Sequence, residues 1–403
     1  MRFTMKERKA VTKLLCDQYR KSDKTGKMQI LNQFVEATGY NRHYAAWLLR
    51  QHGRRVRIGP QVAVQGDVRL RARRHHARKY DDEVLQALKK LWELLDFISS
   101  RRVHAALPEV IPRLVAFREL RIKKSVQKRL LEVSPATIDR MLKQERKKYT
   151  LKGRATTKPG TLLKHQIPIR TFSDWDNEEP GFLEMDLVGH DGGRVEGDYC
   201  FTLDITDVAT GWSEQAAVQN KAQKWVFEAL VDLGKRLPFA IRGLDSDNGG
   251  EFINNHMVAY CSEQHITFTR SRPYRKNDSC YVEQKNWSIV RRHVGYARYE
   301  TPEQCRLLNE LYRILHDYNN FFMPSMKLVE KIRNGTKVTK RYDTPKTPYT
   351  RVLQSNKIPK AVKDKLRRYY EKLNPAELKR RIEKLQKMLA RQVAANRKSK
   401  AVA

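Results

Sequence analysis

Apolar residues recur at helical spacing through the first third of the chain and at strand spacing through its middle. In MQILNQFVEATGYNRHYAAWLLRQ, Ile30, Leu31, Phe34 and Val35 share one helical face, Thr38-Gly39-Tyr40 interrupts, and Tyr44, Ala45 and Leu48 form a second face. Two short helices about a glycine-containing turn predict a helix-turn-helix within residues 1–52, whose second helix, about Asn41 to Gln51, would enter a major groove. An ordinary helical hairpin is the competing reading. From Tyr80, YDDEVLQALKKLWELLDF sets Val84, Leu88, Leu91, Trp92 and Leu95 at helical spacing, with Asp81 and Asp82 where negative charge favours a helix start. In SVQKRLLEVSPATIDRMLKQERKK, Ser134 is a predicted N-cap, Pro135 the first helical residue, and Ile138, Met141 and Leu142 a buried stripe. That segment makes residues 80–150 a second helical, DNA-binding candidate.

The period shortens near Phe172. GFLEMDLV, YCFTLDITD and GWSEQAAV read as three strands in a meander, followed by the helix KAQKWVFEALVDLGKRL and a strand ending at Asp247. A helix (NNHMVAYCSEQ), a strand (ITFTR) and a long helix from about Ser279 complete the order βββ-α-β-α-β-α. The expectation is an α/β fold, a mixed five-stranded sheet with flanking helices over residues 172–333, preceded by all-helical domains. Near the C-terminus, NPAELKRRIEKLQKMLARQ carries a predicted cap at Asn374 and a stripe of Leu378, Ile382, Leu385 and Leu389. Two heptads leave a subunit contact and packing on the chain's own core both open.

Charge changes the picture. The 403 residues include 81 Lys and Arg against 45 Asp and Glu, a formal charge of +36, which predicts a polyanionic partner. Residues 171–300 hold 14 Lys and Arg and 21 Asp and Glu, a net of −7, so the other 273 residues carry +43. Basic flanks for gripping nucleic acid therefore enclose an acidic centre that needs cations of its own. The arginine-rich stretch 53–79 reads as a linker tracking phosphates, 151–171 as a polar connector, and 334–403 as a basic C-terminal region. Five scattered cysteines form no CxxC pair, no apolar run could cross a bilayer, and the start lacks a signal-peptide core, so a cytosolic, nucleoid-associated protein is expected.

Three acids stand out in the centre. Asp186 lies in the first strand, Asp247 at the tip of the fourth, and Glu283 in the last helix, with 60 and 35 residues between them. LEMDLV, LDSDNGGEF and SRPYRKNDSCYVEQKNW match, in order and type, the three acidic motifs of the retroviral-integrase-like DDE transposases, and the segment 182–294 resembles their catalytic core. The resemblance implies an RNase H-like fold, two Mg²⁺ or Mn²⁺ ions, and cleavage and joining of DNA at the ends of a mobile element. It implies that Asp186 bridges both ions, that Asp247 binds one and Glu283 the other. Such hard cations prefer carboxylate oxygen, and a pair of them can activate an attacking oxygen while stabilising a leaving one.

The partners implied are double-stranded DNA, both element ends and target, and further copies of the chain. Candidate DNA contacts are Arg42, His43 and Arg50 on the first recognition helix, Arg54, Arg55, Arg57, Arg73 and Arg74 in the linker, and Arg140 and Lys143 in the second helical region. Arg272, Tyr274, Arg275 and Lys276 precede the Glu283 helix, and Lys285 and Arg291 lie on it. Asp245 and Glu184 share strand faces with Asp247 and Asp186; Glu184 reads either as support for the site or as plain surface. Two departures from the family pattern are Asn277-Asp278-Ser279 before the glutamate helix and Val290 seven positions past the glutamate, where a basic residue is common. A DNA-binding repressor that keeps the fold without the chemistry is the alternative reading.

Overall fold

The structure is a computed structural model that describes residues 3–57, 63–66, 79–147, 169–170, 179–246, 249–252, 254–271 and 280–402. The chain divides into two compact units, Met1–Arg78 and Lys79–Ala403.

In the first unit, helices α1 (Met5–Lys21), α2 (Lys24–Thr38) and α3 (Arg42–Gln51) precede an antiparallel pair, β1 (Arg54–Arg57) and β2 (Ala63–Gly66). Each helix starts on a side-chain cap: Thr4 with Glu7 in a reciprocal box, Asp23 accepting from Gly26 N at 2.8 Å, and Asn41 accepting from His43 N at 2.9 Å. Gly39 closes α2 at φ 67°, a left-handed conformation that a side chain would strain. Cys16, Tyr19, Leu31, Phe34, Ala45 and Leu49 form the core. Tyr44 departs from its expected place on the buried face. It is 42% exposed and stacks on Trp47, ring centroids 6.0 Å apart, while Ala45, Leu48 and Leu49 turn inward. A ten-residue helix resting on two others buries only a narrow arc, and Tyr44 lies one residue outside it.

The second unit begins with α4 (Asp82–Leu94), α5 (Ser100–Ala116), α6 (Lys124–Glu132) and α7 (Pro135–Arg146). After β3 (Ile169–Arg170) come β4 (Phe182–Gly189), β5 (Phe201–Asp207), β6 (Ser213–Val218), α8 (Gln223–Gly234), β7 (Gly243–Ser246), α9 (Asn255–Glu263) and β8 (Thr267–Ser271). The chain continues through α10 (Cys280–Lys285), a π-helical segment (Asn286–Arg291), α11 (Arg292–Val294) and α12 (Pro302–Phe322). A hairpin, β9 (Leu328–Asn334) and β10 (Lys337–Tyr342), leads to α13 (Pro348–Gln354), α14 (Lys360–Glu371) and α15 (Pro375–Val402).

The central sheet has the order β3-β8-β7-β4-β5-β6. Its meander β4-β5-β6 is antiparallel, and β7 and β8 add to β4 in parallel. Apart from the two-residue edge strand β3, this is the five-stranded mixed sheet of the RNase H-like fold. Alternation along β4 separates two faces. Leu183, Met185 and Leu187 pack with Val226, Leu230 and Leu233 of α8 and Met257 and Cys261 of α9. Glu184, Asp186 and Val188 point the other way, toward the side where Ile289, Val290, Leu308 and Tyr312 gather.

Helices α4 to α7 share one apolar cluster with α12 and α15. Tyr318 of α12 donates to Leu94 O at 2.5 Å, and Arg113 of α5 donates to Tyr370 O at 2.8 Å. Asp96, in the turn after α4, pairs with Arg292 and, at 3.2 Å, with Lys379. The α15 stripe of Leu378, Ile382, Leu385 and Leu389 is buried against this chain's own core. Ile382→Ala is therefore expected to lower stability by about 2–5 kcal/mol, read as a shift in denaturant midpoint that does not depend on protein concentration. A seam between subunits would make the shift concentration-dependent.

Candidate active site

The polar face of the sheet is ordered in two rows. Register places Thr206, Glu184, Asp245 and Thr269 side by side across β5, β4, β7 and β8, and Gln215, Asp204 and Asp186 across β6, β5 and β4. The last described pair of the β4–β7 ladder is Met185 with Ser246. Asp247 itself lies outside the described residues.

Asp186 is half-buried. Its Oδ1 accepts from Leu187 N at 2.8 Å, and its Oδ2 accepts from Asn286 Nδ2 at 2.6 Å. Asn286 stands three residues past Glu283, so this bond fastens the Glu283 helix to the strand that carries Asp186. Glu283 is exposed on α10, which packs on β4 and β5. The helix widens to π geometry at Asn286, a departure often found beside functional groups. Glu184 is fully buried, and its Oε2 accepts from Tyr281 N at 2.8 Å and Val282 N at 3.0 Å. Asp245 is buried and accepts from Thr269 Oγ1 at 2.7 Å.

Asp204, facing Asp186 across the ladder, lies in the interior with Gln215 Nε2 donating to its Oδ1 at 3.0 Å. Burial pushes its carboxyl up to about 8, with the Lys285 ammonium opposing that rise. Burial in turn draws Lys285 down to about 8, against the pull of Asp204, while Nζ donates to Gly211 O at 3.1 Å. Asp204 Oδ2, Gln215 Oε1 and Asn286 Oδ1 are buried without a hydrogen-bond partner in the protein. Such atoms usually find a water or an ion.

The carboxylate oxygens on this sheet face are of the hard type that divalent cations take. Among the described residues no three His, Cys, Asp or Glu side chains lie close enough to hold a metal ion.

The candidate DNA contacts fall in different places. Arg42, His43, Arg50 and Arg54 are exposed in the first unit, where Arg42 bonds Asn32 and Arg50 Nε bonds Ala46 O at 3.1 Å. Arg140 and Lys143 are exposed on α7, with Arg140 bonded to Thr137 Oγ1 at 2.9 Å. Lys285 is turned into the fold. Arg291 donates to Gly189 O at 2.8 Å and lies over the Tyr296 ring. Val290 is buried in the core, whereas Trp287, one turn past Glu283, is 50% exposed. Arg55 and Arg57 lie on β1, and their side chains fall outside the described residues, as do Arg73, Arg74, Arg272, Tyr274, Arg275 and Lys276 entirely. Asn286 is marked in the sequence only by its spacing of three from the glutamate, and was not among the expected site residues. Nor was Trp47, which with Tyr44 and His43 makes the outer face of α3 aromatic.

The strand order and the polar sheet face define an RNase H-like α/β protein. No family profile matches the sequence. The chain is 37% identical over 352 residues to "Uncharacterized protein y4rM" of Sinorhizobium fredii (strain NBRC 101917 / NGR234), an alignment spanning 87% of this chain and 96% of that protein. It belongs to the same family as y4rM. Solved structures that overlap it include the HTLV-2 integrase catalytic core domain in complex with magnesium, at 14% identity and TM-score 0.29 over 37% of this chain and 93% of that one. The catalytic core domain of BIV integrase overlaps at 19% identity and TM-score 0.30, over 43% of this chain and 95% of the other. Overlaps this low add nothing to the strand order, on which the fold assignment rests.

Proposed function

We propose that this chain is a DDE-type DNA transposase: it binds the terminal inverted repeats of a mobile element, cleaves DNA at their ends and joins them to target DNA. The observation that carries the reading is the Asn286–Asp186 bond, because it draws the helix of Glu283 onto the strand of Asp186. Asp186, Asp247 and Glu283 would hold two Mg²⁺ or Mn²⁺ ions. Bound there, the ions would activate the attacking oxygen and neutralise charge on the leaving one. The chain's own residues do the rest. Asn286 orients Asp186, and the Glu184 carboxylate seats the start of the Glu283 helix. Water would attack the phosphorus at the element end, breaking its bond to the 3′-oxygen and freeing the element's 3′-hydroxyl; that hydroxyl would then attack a target phosphodiester and displace the target's own 3′-oxygen.

The first unit is the proposed reader of the element end, through the outer face of α3, and α7 of the second unit is a proposed further contact. Pairing of two ends calls for an oligomer. Among the described residues no helix is long and apolar enough to cross a membrane. A repressor with this fold would have no use for acids crowded on one sheet face. The test is Mg²⁺-dependent strand transfer with purified protein and element-end DNA. A transposase cuts and joins, a nuclease cuts without joining, and a repressor binds and leaves the DNA intact.

A further inference from the structure

The structure decides between the two readings of Glu184. Its side chain is 0% exposed, an expensive place for a carboxylate unless bonds hold it there. Two of those bonds come from the backbone N–H groups of Tyr281 and Val282. Both N–H groups lie in the first described turn of α10. The next residue after this pair is Glu283. Three residues further on, Asn286 is bonded to Asp186, and Asp186 sits two positions from Glu184 on the same face of β4. Glu283 is thus held between two anchors, each reaching a carboxylate of a single strand.

We infer that Glu184 is a positioning residue that sets the place of Glu283 relative to Asp186, and so tunes divalent-metal use without being a ligand. The inference rests on the proposed function only for its metal readout. The strand fixes the distance from residue 184 to residue 186, and the two anchors carry that spacing to the helix. A purely structural cap would stabilise α10 but leave metal affinity unchanged.

The experiment uses the full chain as wild type, Glu184→Gln and Glu184→Ala. Metal use is read as the Mg²⁺ concentration giving half-maximal cleavage of element-end DNA. In Glu184→Ala this concentration should rise about 10–100-fold, the range seen when outer-shell partners are removed, with DNA affinity unchanged and much of the maximal rate recovered at high metal. Glu184→Gln keeps an acceptor oxygen at the same reach and should fall between the two. Hydrogen exchange at the Tyr281 and Val282 amides is read alongside, without DNA or metal. It should be slow in the wild type, faster by at least about tenfold in Glu184→Ala, and intermediate in Glu184→Gln. Fast exchange in the wild type overturns the inference, as does a rate that falls equally at every metal concentration. If Glu184→Ala does not fold, Glu184→Gln and the wild-type exchange decide alone. Absence of cleavage by the wild type counts against the transposase reading. The inference is then decided by exchange together with Mn²⁺ affinity measured directly on the three proteins, and equal affinity overturns it.

Discussion

Replacing Asp186 by asparagine is expected to lower metal-dependent cleavage by at least about 10³-fold, while binding to element-end DNA changes little. The substitution preserves size, and the Asn286 amide could still donate to the new side-chain oxygen, so the Glu283 helix stays seated. What is lost is the negative charge and one of the two acceptor oxygens that Asp186 would offer a metal. Stability should change little, because relief of the charge beside buried Asp204 and Glu184 offsets the acceptor lost to either Leu187 N or Asn286. Gel-shift and cleavage assays on the same preparation separate the effects. Cleavage within tenfold of wild type would remove Asp186 from the proposed role. Loss of DNA binding would mean that Asp186 acts in recognition.

Removing residues 1–78 is expected to abolish preference for the element end while leaving a folded protein with weak, salt-sensitive affinity for any DNA. The boundary matters. The cut at 78 follows the division between the compact units. A cut at 150 would also delete Leu88, Leu91, Trp92, Val103, Leu107 and Ile111, which lie in the core shared with α12 and α15. Loss of such a cluster costs several kcal/mol per large side chain, comparable to the stability of a whole domain. The shorter deletion should therefore melt cooperatively and the longer one aggregate. Competition binding between element-end and unrelated duplexes checks the first half of the claim. Retained preference after the cut at 78 would move recognition to α7 or the C-terminal region.

Much of the fold was legible because the pattern changed period where the structure does. The meander, α8, α9 and β8 appear where alternation, glycine turns and helical spacing put them, and Ser134 and Asn374 start helices as their side chains predict. Other elements were hidden for physical reasons. Helix α5 carries Pro108 and Pro112 in its interior, which read as breakers; tertiary packing of Val103, Leu107, Val110 and Ile111 outweighs them. The π-helical segment leaves no mark in a 3.6-residue pattern, since one inserted residue shifts every later side chain by about a quarter turn. The order of Asp186 and Glu283 along the chain could be read, but not what holds them. Glu184 could be read as support for the site or as plain surface, and Asn286 looks like an ordinary polar residue until a strand and a helix distant in sequence are brought together. The C-terminal stripe left two partners open, and burial in this chain's own core answers which one it meets.

The acids of this sheet face are proposed to gather a pair of divalent ions, and crystals soaked in Mn²⁺ would test that claim most directly. Anomalous scattering from the wild-type protein should show density bounded by the carboxylates of Asp186, Asp247 and Glu283, and that density should vanish in Asp186→Asn. Manganese found only elsewhere on the molecule, or wild-type carboxylates that remain apart with no ion between them at saturating metal, would contradict the account.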